Sequence, residues 1–438
     1  MRNDRKWAIF RKIDWTKRDK IRMRLLLLLI LAMNIVGIGV YYYQEIDRRV
    51  PSHIYLYRNQ HVEIDLDVPV EGSCREAQDV ISITNGSGET GEGHKFALNE
   101  PVSITANALG SYQAELKLFG LIHYKYIHFD VIEEAKVMPS GKSVGLYIQS
   151  DGIMVLGTSK IEGKDGFSYE PAKDILQPGD RIHKVGDREV GDIDSVIDAL
   201  QENGGGKVTL EVTRGKKDIR LRLETVQAAD GEYKIGAWLR EDTEGIGTLS
   251  FVTEENQFAA LGHGITDIDT GDLIVLEKGS MYPARIEDIR KGKAGKPGEL
   301  IGTVLLGKDS YVGEIESNTP LGITGQIMGE DYQYQEREAL PIGLKQEVKV
   351  GQAWVMCQLG KKVEKYQIKI EEINVNSKDN KGMVLRVTDS ELLKKTGGIV
   401  QGMSGAPIIQ NGKVIGAITH VFVNDPTGGY ATFMENML

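Results

Sequence analysis

No charged residue occurs between Leu25 and Tyr43, and this run constrains the chain more than any other feature of its 438 residues. Nineteen residues at 1.5 Å each span roughly 28 Å, enough to cross a hydrocarbon core. Asn34 is the one polar interruption, and Tyr41, Tyr42 and Tyr43 stand where an interfacial aromatic belt belongs. The preceding 24 residues hold ten basic and three acidic side chains, a net charge of +7. The whole chain carries −10, so the remainder carries −17. A basic flank stays in the cytoplasm, which places residues 44–438 outside as an anchored ectodomain. A cleavable signal peptide is the alternative, but no A-x-A-like site follows the run and the basic arm is long. An acidic body excludes nucleic acid as a general partner, because phosphate recognition needs a basic face.

Outside the anchor the pattern is mostly β. Residues 44–135 alternate apolar and polar side chains, as in Val62-Glu63-Ile64-Asp65-Leu66 and Tyr124 to Phe129, with breaks such as Asn85-Gly86-Ser87-Gly88. That period of two predicts a small β-domain. Lys142-Ser143 lacks the first glycine of a phosphate-binding loop, so that motif is rejected. In residues 136–226, Ser143-Val144-Gly145-Leu146-Tyr147-Ile148 reads as a loop entering a strand. Leu176-Gln177-Pro178-Gly179-Asp180-Arg181-Ile182 reads as a turn into another. A helical stripe at Ile193, Val196, Ile197 and Leu200 ends at Asn203-Gly204, and 208–212 with 219–223 predict a closing hairpin. This order resembles a PDZ domain. The resemblance implies that a peptide's C-terminal carboxylate meets the backbone around Val144, Gly145 and Leu146, the peptide adding as a strand beside the helix.

The last segment, 227–438, carries the chemistry. In Gly402-Met403-Ser404-Gly405-Ala406-Pro407 a serine between glycines can expose its hydroxyl on a tight turn. Neighbouring N–H groups, expected from Gly402 and Ser404, would then form an oxyanion hole. Asn411-Gly412 between two apolar arms predicts a hairpin directly after it. The stretch resembles the nucleophile region of chymotrypsin-like peptidases. Two imidazoles share this segment. His263 sits in Leu261-Gly262-His263-Gly264, where the glycines leave it room; His420 reads as the rim of a strand. The order His263 before Ser404 fits a chymotrypsin-like fold, and an α/β-hydrolase does not fit in the 16 residues from Ser404 to His420. For the acid, Asp389 opens a helix in Thr388-Asp389-Ser390-Glu391, a position that meeting the helix dipole already explains. Asp267, Asp269 and Asp272 are close to His263 along the chain and remain open.

Anchor, β-domain, PDZ domain, Leu261-Gly262-His263-Gly264, Asp389 and Gly402-Met403-Ser404-Gly405-Ala406-Pro407 together resemble the stage IV sporulation protein B (SpoIVB) serine peptidases of endospore-forming bacteria. The resemblance implies a triad of His263, Asp389 and Ser404. It implies residence in the forespore membrane, with the ectodomain between the two membranes around the forespore. It further implies cleavage of a stage IV FA-like regulator of an intramembrane metalloprotease, which triggers pro-sigma-K processing, and cleavage of the chain itself. Two departures stand out: the acid lies unusually close to the serine, and the PDZ domain precedes the peptidase instead of following it.

The expected architecture is therefore mostly β (α+β). It comprises a basic arm (1–24), a transmembrane anchor or signal (25–43), a small β-domain (44–135), a PDZ domain (136–226) and a chymotrypsin-like double β-barrel peptidase (227–438). No cofactor and no metal are expected: the eight histidines show no H-x-x-H spacing, and Cys74 and Cys357 read as isolated buried thiols. The tail Glu435-Asn436-Met437-Leu438 ends on an apolar residue that a PDZ groove accepts. A non-catalytic PDZ adaptor and an envelope quality-control peptidase are the rival functions.

Overall fold

The computed structural model describes residues 17–74, 80–85, 95–267, 270–307, 310–377 and 379–438. Most of the basic arm, the break at Gly86-Ser87-Gly88 and Asp269 lie outside the described residues. Helix α1 (Lys17–Arg49) is continuous and carries the whole apolar run, whose side chains are exposed. It is long and apolar enough to cross a membrane.

The small β-domain forms as its alternation predicts, with a five-stranded and a three-stranded sheet around one core that includes Ile54, Ile104, Leu116 and Phe129. Its first strand, His53–Tyr57, pairs in parallel with its last, Ile122–Ile132.

After a short strand at Lys136–Pro139, the long strand β1 (Ser143–Thr158) revises the expected domain boundaries. Val144, Leu146 and Ile148 point into one core and, past a kink at Ser150–Gly152, Ile153 and Val155 point into another. The second core belongs to the PDZ domain: β2 (Arg181–Val185), α2 (Ile193–Asn203), β3 (Gly206–Arg214) and β4 (Lys217–Gln227). Asp192 and Ser195 form a capping box at the start of α2, and Gly204 ends it in the left-handed conformation, φ 67°. The hairpin of β3 and β4 forms as expected.

Strand β5 (Ala237–Val252) then retraces β1. Its first residues pair with Met154–Thr158 in the PDZ sheet, and Asp242–Thr248 pair with Ser143–Gln149. With β6 (Gln257–Ala260), β7 (Leu276–Arg290), β8 (Gly313–Thr319) and β9 (Gly322–Ile327), the order β1-β5-β6-β9-β8-β7 closes on itself through β7–β1 pairing. The first barrel thus begins before the PDZ domain and ends after it. The PDZ domain does not precede the peptidase; it is inserted in it, and Ser143–Gln149 belong to the barrel.

The second barrel is β10 (Gly351–Gln358), β11 (Val363–Ile373), β12 (Met383–Val387), β13 (Pro407–Gln410), β14 (Lys413–Val421) and β15 (Gly428–Phe433), closed in the order β10-β11-β12-β15-β14-β13. Asn411 and Gly412 take φ of 51° and 79° in the expected hairpin. A short α3 (Ser390–Thr396) precedes the serine loop, capped by Asp389 itself and not by Thr388 as the capping-box pattern suggested. Cys74 and Cys357 are buried and unbridged, and burial pushes the Cys357 thiol up to about 12.

Candidate active site

Ser404 lies on the turn between the strand Val400–Gln401 and β13, at the seam of the two barrels. Met403 is fully buried in the second core and pins the turn from behind. Gly405 must be glycine: at φ 91°, a Cβ there would lie 2.2 Å from the carbonyl oxygen of Thr248. The first barrel grips the same turn. Thr248 Oγ1 donates to the Gly402 carbonyl at 2.7 Å, and Thr248 N–H donates to the Ser404 carbonyl at 3.0 Å. With the carbonyls turned towards β5, the N–H groups of Gly402 and Ser404 have no acceptor among the described residues. Both residues line one cleft. This is the arrangement an oxyanion hole needs.

That cleft, of about 490 Å³, runs between the barrels and is lined by His263, His420, Leu146, Glu244 and Ile246 as well. His263 follows Leu261, a leucine held at φ 70°, an uncommon conformation for a branched residue. The chain just beyond is fixed by Asn318 of β8. Its side chain accepts from Ile265 N–H at 2.8 Å and donates to the carbonyls of Ile265 and Ile274.

His263 Nδ1 lies 2.9 Å from the Gly264 carbonyl. A carbonyl only accepts, so Nδ1 donates to it, which leaves Nε2 as the ring nitrogen that can take up a proton. The Ser404 hydroxyl donates to the Thr419 carbonyl at 2.6 Å, with the Leu261 carbonyl at 3.2 Å. Serine and imidazole therefore share the cleft while the hydroxyl rests on the rim of the second barrel. His420 occupies that rim as expected. Its ring centroid is 5.1 Å from that of His263, and desolvation, followed by the charges of His263 and Lys381, lowers its pKa.

Asp389 makes no hydrogen bond to His263 in this structure. Its Oδ1 accepts from Glu391 N–H at 2.9 Å and Leu392 N–H at 3.0 Å, and its Oδ2 from Gln367 N–H at 3.3 Å, as the cap of α3. Burial opposes its ionisation, yet those N–H groups and Lys395 hold its pKa below the usual carboxylate value. Among the described residues, Asp267 and Asp272 make no hydrogen bond to His263 either. Asp267 is buried against Arg240 and accepts from Thr270, and Asp272 is exposed. The group that meets His263 Nδ1 in this structure is the Gly264 carbonyl.

The PDZ assignment is corrected. Val144, Gly145 and Leu146 pair with β5 on one side and β7 on the other, so they offer no edge to a peptide. The open edge belongs to β5. Among the described residues, the N–H groups of Ile235 and Gly236, just before β5, have no acceptor. The bond from Ser159 N–H to the Gly236 carbonyl turns Ala237 outward. The C-terminal tail is not in this groove, since Met437 packs with Val137, Phe251 and Val414. Among the described residues no cluster of His, Cys, Asp or Glu could hold a metal ion.

Two six-stranded barrels with a serine and a histidine in the cleft between them, and a PDZ domain inserted in the first, define a PDZ-bearing serine peptidase. Residues 231–438 match the model of the SpoIVB peptidase S55 family, and residues 171–214 that of the PDZ domain. Over those C-terminal residues the chain is similar to the SpoIVB peptidase family. Similar solved structures include the PDZ domain of the SdrC-like protein from Listeria monocytogenes, 24% identical, covering 20% of this chain and 87% of that one at a TM-score of 0.17. They also include the HtrA-type protease AlgW with a decapeptide, 10% identical over 68% of this chain and 62% of that one at a TM-score of 0.27. No curated protein matches the chain.

Proposed function

We propose that Ser404 is the nucleophile and His263 the base of a membrane-anchored endopeptidase that acts as a sporulation signal. The observation that carries this is a single cleft holding Ser404, His263 and two unengaged N–H groups, Gly402 and Ser404. The Ser404 hydroxyl leaves the Thr419 carbonyl and attacks the substrate carbonyl carbon as Nε2 of His263 takes its proton. The developing oxyanion rests on the Gly402 and Ser404 N–H groups. His263 then returns the proton to the leaving amine, and water releases the acyl enzyme by the same steps in reverse. The Gly264 carbonyl keeps the imidazole in the working tautomer but adds no negative charge. Replacing a triad acid by an amide costs about 10⁴ in kcat through the wrong tautomer; a carbonyl partner avoids that loss.

The substrate we propose is a stage IV FA-like membrane regulator, cleaved in the space between the forespore and mother-cell membranes, together with the chain itself. The family match and the anchor helix support this reading. The test is incubation of the full-length protein, in detergent, with such a regulator. Cleavage of the regulator that disappears in Ser404→Ala is the expected result. Equal cleavage by the variant refutes the nucleophile, and cleavage of unfolded proteins at large with the regulator untouched favours quality control.

A further inference from the structure

Strand β5 joins the PDZ groove to the catalytic cleft without a break. Among the described residues no strand pairs with its edge away from β1 between Ala237 and Ile246, because β6 joins only from Leu249. Helix α2 lies along the first part of this edge in the opposite direction. Ile193 N–H donates to Glu241 Oε2 at 2.5 Å at one end, and the Gln201 amide holds both the N–H and the carbonyl of Tyr233 at the other. Ile193, Ile197 and Gln201 are four apart and so share one helix face, and Ile197 is 41% exposed. At φ 70°, Gly236 presents its N–H beside that of Ile235 at the head of the groove. Further along, Thr243, Glu244, Gly245 and Ile246 line the cleft with Ser404.

We infer that β5 is a rail: a protein with a free, apolar C-terminus is captured at Ile235–Ala237, pairs antiparallel with β5, and is cut at a fixed distance upstream. Polarity decides the direction. A carboxylate on the Ile235 and Gly236 N–H groups leaves the preceding residues running from Ala237 towards Ile246, into the cleft. One residue per strand residue puts the peptide at the cleft about nine residues from its end, roughly 30 Å. This rests on the serine peptidase reading for the cut, though not for the binding.

The test uses the full-length protein and synthetic peptides of varied length ending in a valine carboxylate, each with a photoreactive residue at one position. In Ser404→Ala, positions near the C-terminus should cross-link to α2, and positions about nine residues upstream to Thr243–Ile246 or the 402–404 turn. Amidating the C-terminus should lower the yield about tenfold or more, as expected for losing charge-assisted hydrogen bonds. Upstream cross-links elsewhere, no cross-links, or indifference to amidation overturn the rail. With wild-type protein, products should have one length counted from the C-terminus; cuts fixed by local sequence alone overturn it. Cross-links in the cleft without any cut by wild type uphold the rail and refute Ser404.

A second surface carries an inference independently. The turn Phe119-Gly120-Leu121 and the adjoining Ile122 expose three apolar side chains by 66%, 85% and 62% for Phe119, Leu121 and Ile122. Their strand runs alongside the exit of α1. Tyr124 stacks edge-on with Tyr43, Lys125 pairs with Asp47 and His128 is opposite His53, so higher strand numbers lie farther from the anchor. Extrapolated back, Ile122 to Phe119 reach the level of the apolar run of α1. We propose that this turn dips into the lipid interface beside the anchor, as exposed aromatic and aliphatic groups do at a membrane surface. The full chain, reconstituted in phosphatidylcholine–phosphatidylglycerol bilayers, would carry a nitroxide at Leu121→Cys, with a second preparation labelled at Ile35→Cys. Collision with oxygen favoured over a water-soluble nickel chelate at both sites is expected. A lipid signal at 35 with an aqueous one at 121 overturns the dipping turn; an aqueous signal at 35 overturns the anchor itself.

Discussion

Thr248 donates its side-chain hydroxyl to the carbonyl of Gly402, so a residue of the first barrel holds the turn that carries Ser404. Replacing that hydroxyl by a methyl in Thr248→Val leaves a half-buried carbonyl without its donor and frees the 402–403 peptide to turn. The expected result is a fall in kcat of about 10- to 100-fold with little change in KM, recovered by Thr248→Ser. Steady-state kinetics on the cleaved regulator checks it, and a fall in KM-limited binding alone would count against it.

Ser404→Ala and His263→Ala should each remove at least about 10³ of the rate while leaving the melting temperature near that of wild type. Because the resting hydroxyl points to the Thr419 carbonyl, a fluorophosphonate should label Ser404 slowly in the free protein and faster with a groove peptide bound. Equal labelling rates would argue against a reorienting hydroxyl.

Asp389 caps α3, and a cap predicts a particular pattern of substitutions. Asp389→Asn preserves the acceptor and should unfold with wild type, whereas Asp389→Ala should lose about 1 kcal/mol, measured by chemical denaturation. A kcat loss near 10⁴ in a stably folded Asp389→Asn would show instead that α3 moves to His263 when substrate binds.

The depressed pKa of His420 has a definite sign. Its folded-state value lies below its unfolded value, so the unfolded chain binds the proton first as pH falls. The stabilisation is complete above about pH 6.5 and is lost below it. Melting temperatures should therefore drop on acidification from neutral pH, and less steeply in His420→Gln. An identical pH profile in the variant would remove His420 from the cause.

Both thiols should resist alkylation until the protein unfolds, Cys357 because burial raises its pKa to about 12. Rapid modification of the native protein, followed by mass spectrometry, would contradict the packing described for β10.

Local signals read well from the sequence because each is decided within a few residues. Asn411-Gly412 favours a tight hairpin, Asn203-Gly204 stops α2, and the glycines around Ser404 admit the positive φ that its turn uses. Asp389 is ambiguous in sequence because a first-turn carboxylate serves a helix and a histidine equally well; in this structure three N–H groups hold it. Val144–Leu146 misled because a strand paired on both edges has the same alternation as one offering an edge. Thr248 and Asn318 gave no sequence signal at all. Their partners, Gly402 and the chain after His263, are distant in sequence and meet them only once the barrels close.

The double use of β1 and β5 bears on how such a protein can be taken apart. Two domains on a tether can swing, be swapped between relatives, or be clipped free by a protease. Here the boundary runs through the middle of two hydrogen-bonded strands, where a cut would open the barrel wall as surely as it removed the PDZ domain. The module and the catalyst therefore stand on the same two strands, and a strain applied at Ile235 runs along β5 towards Thr248 within one continuous strand.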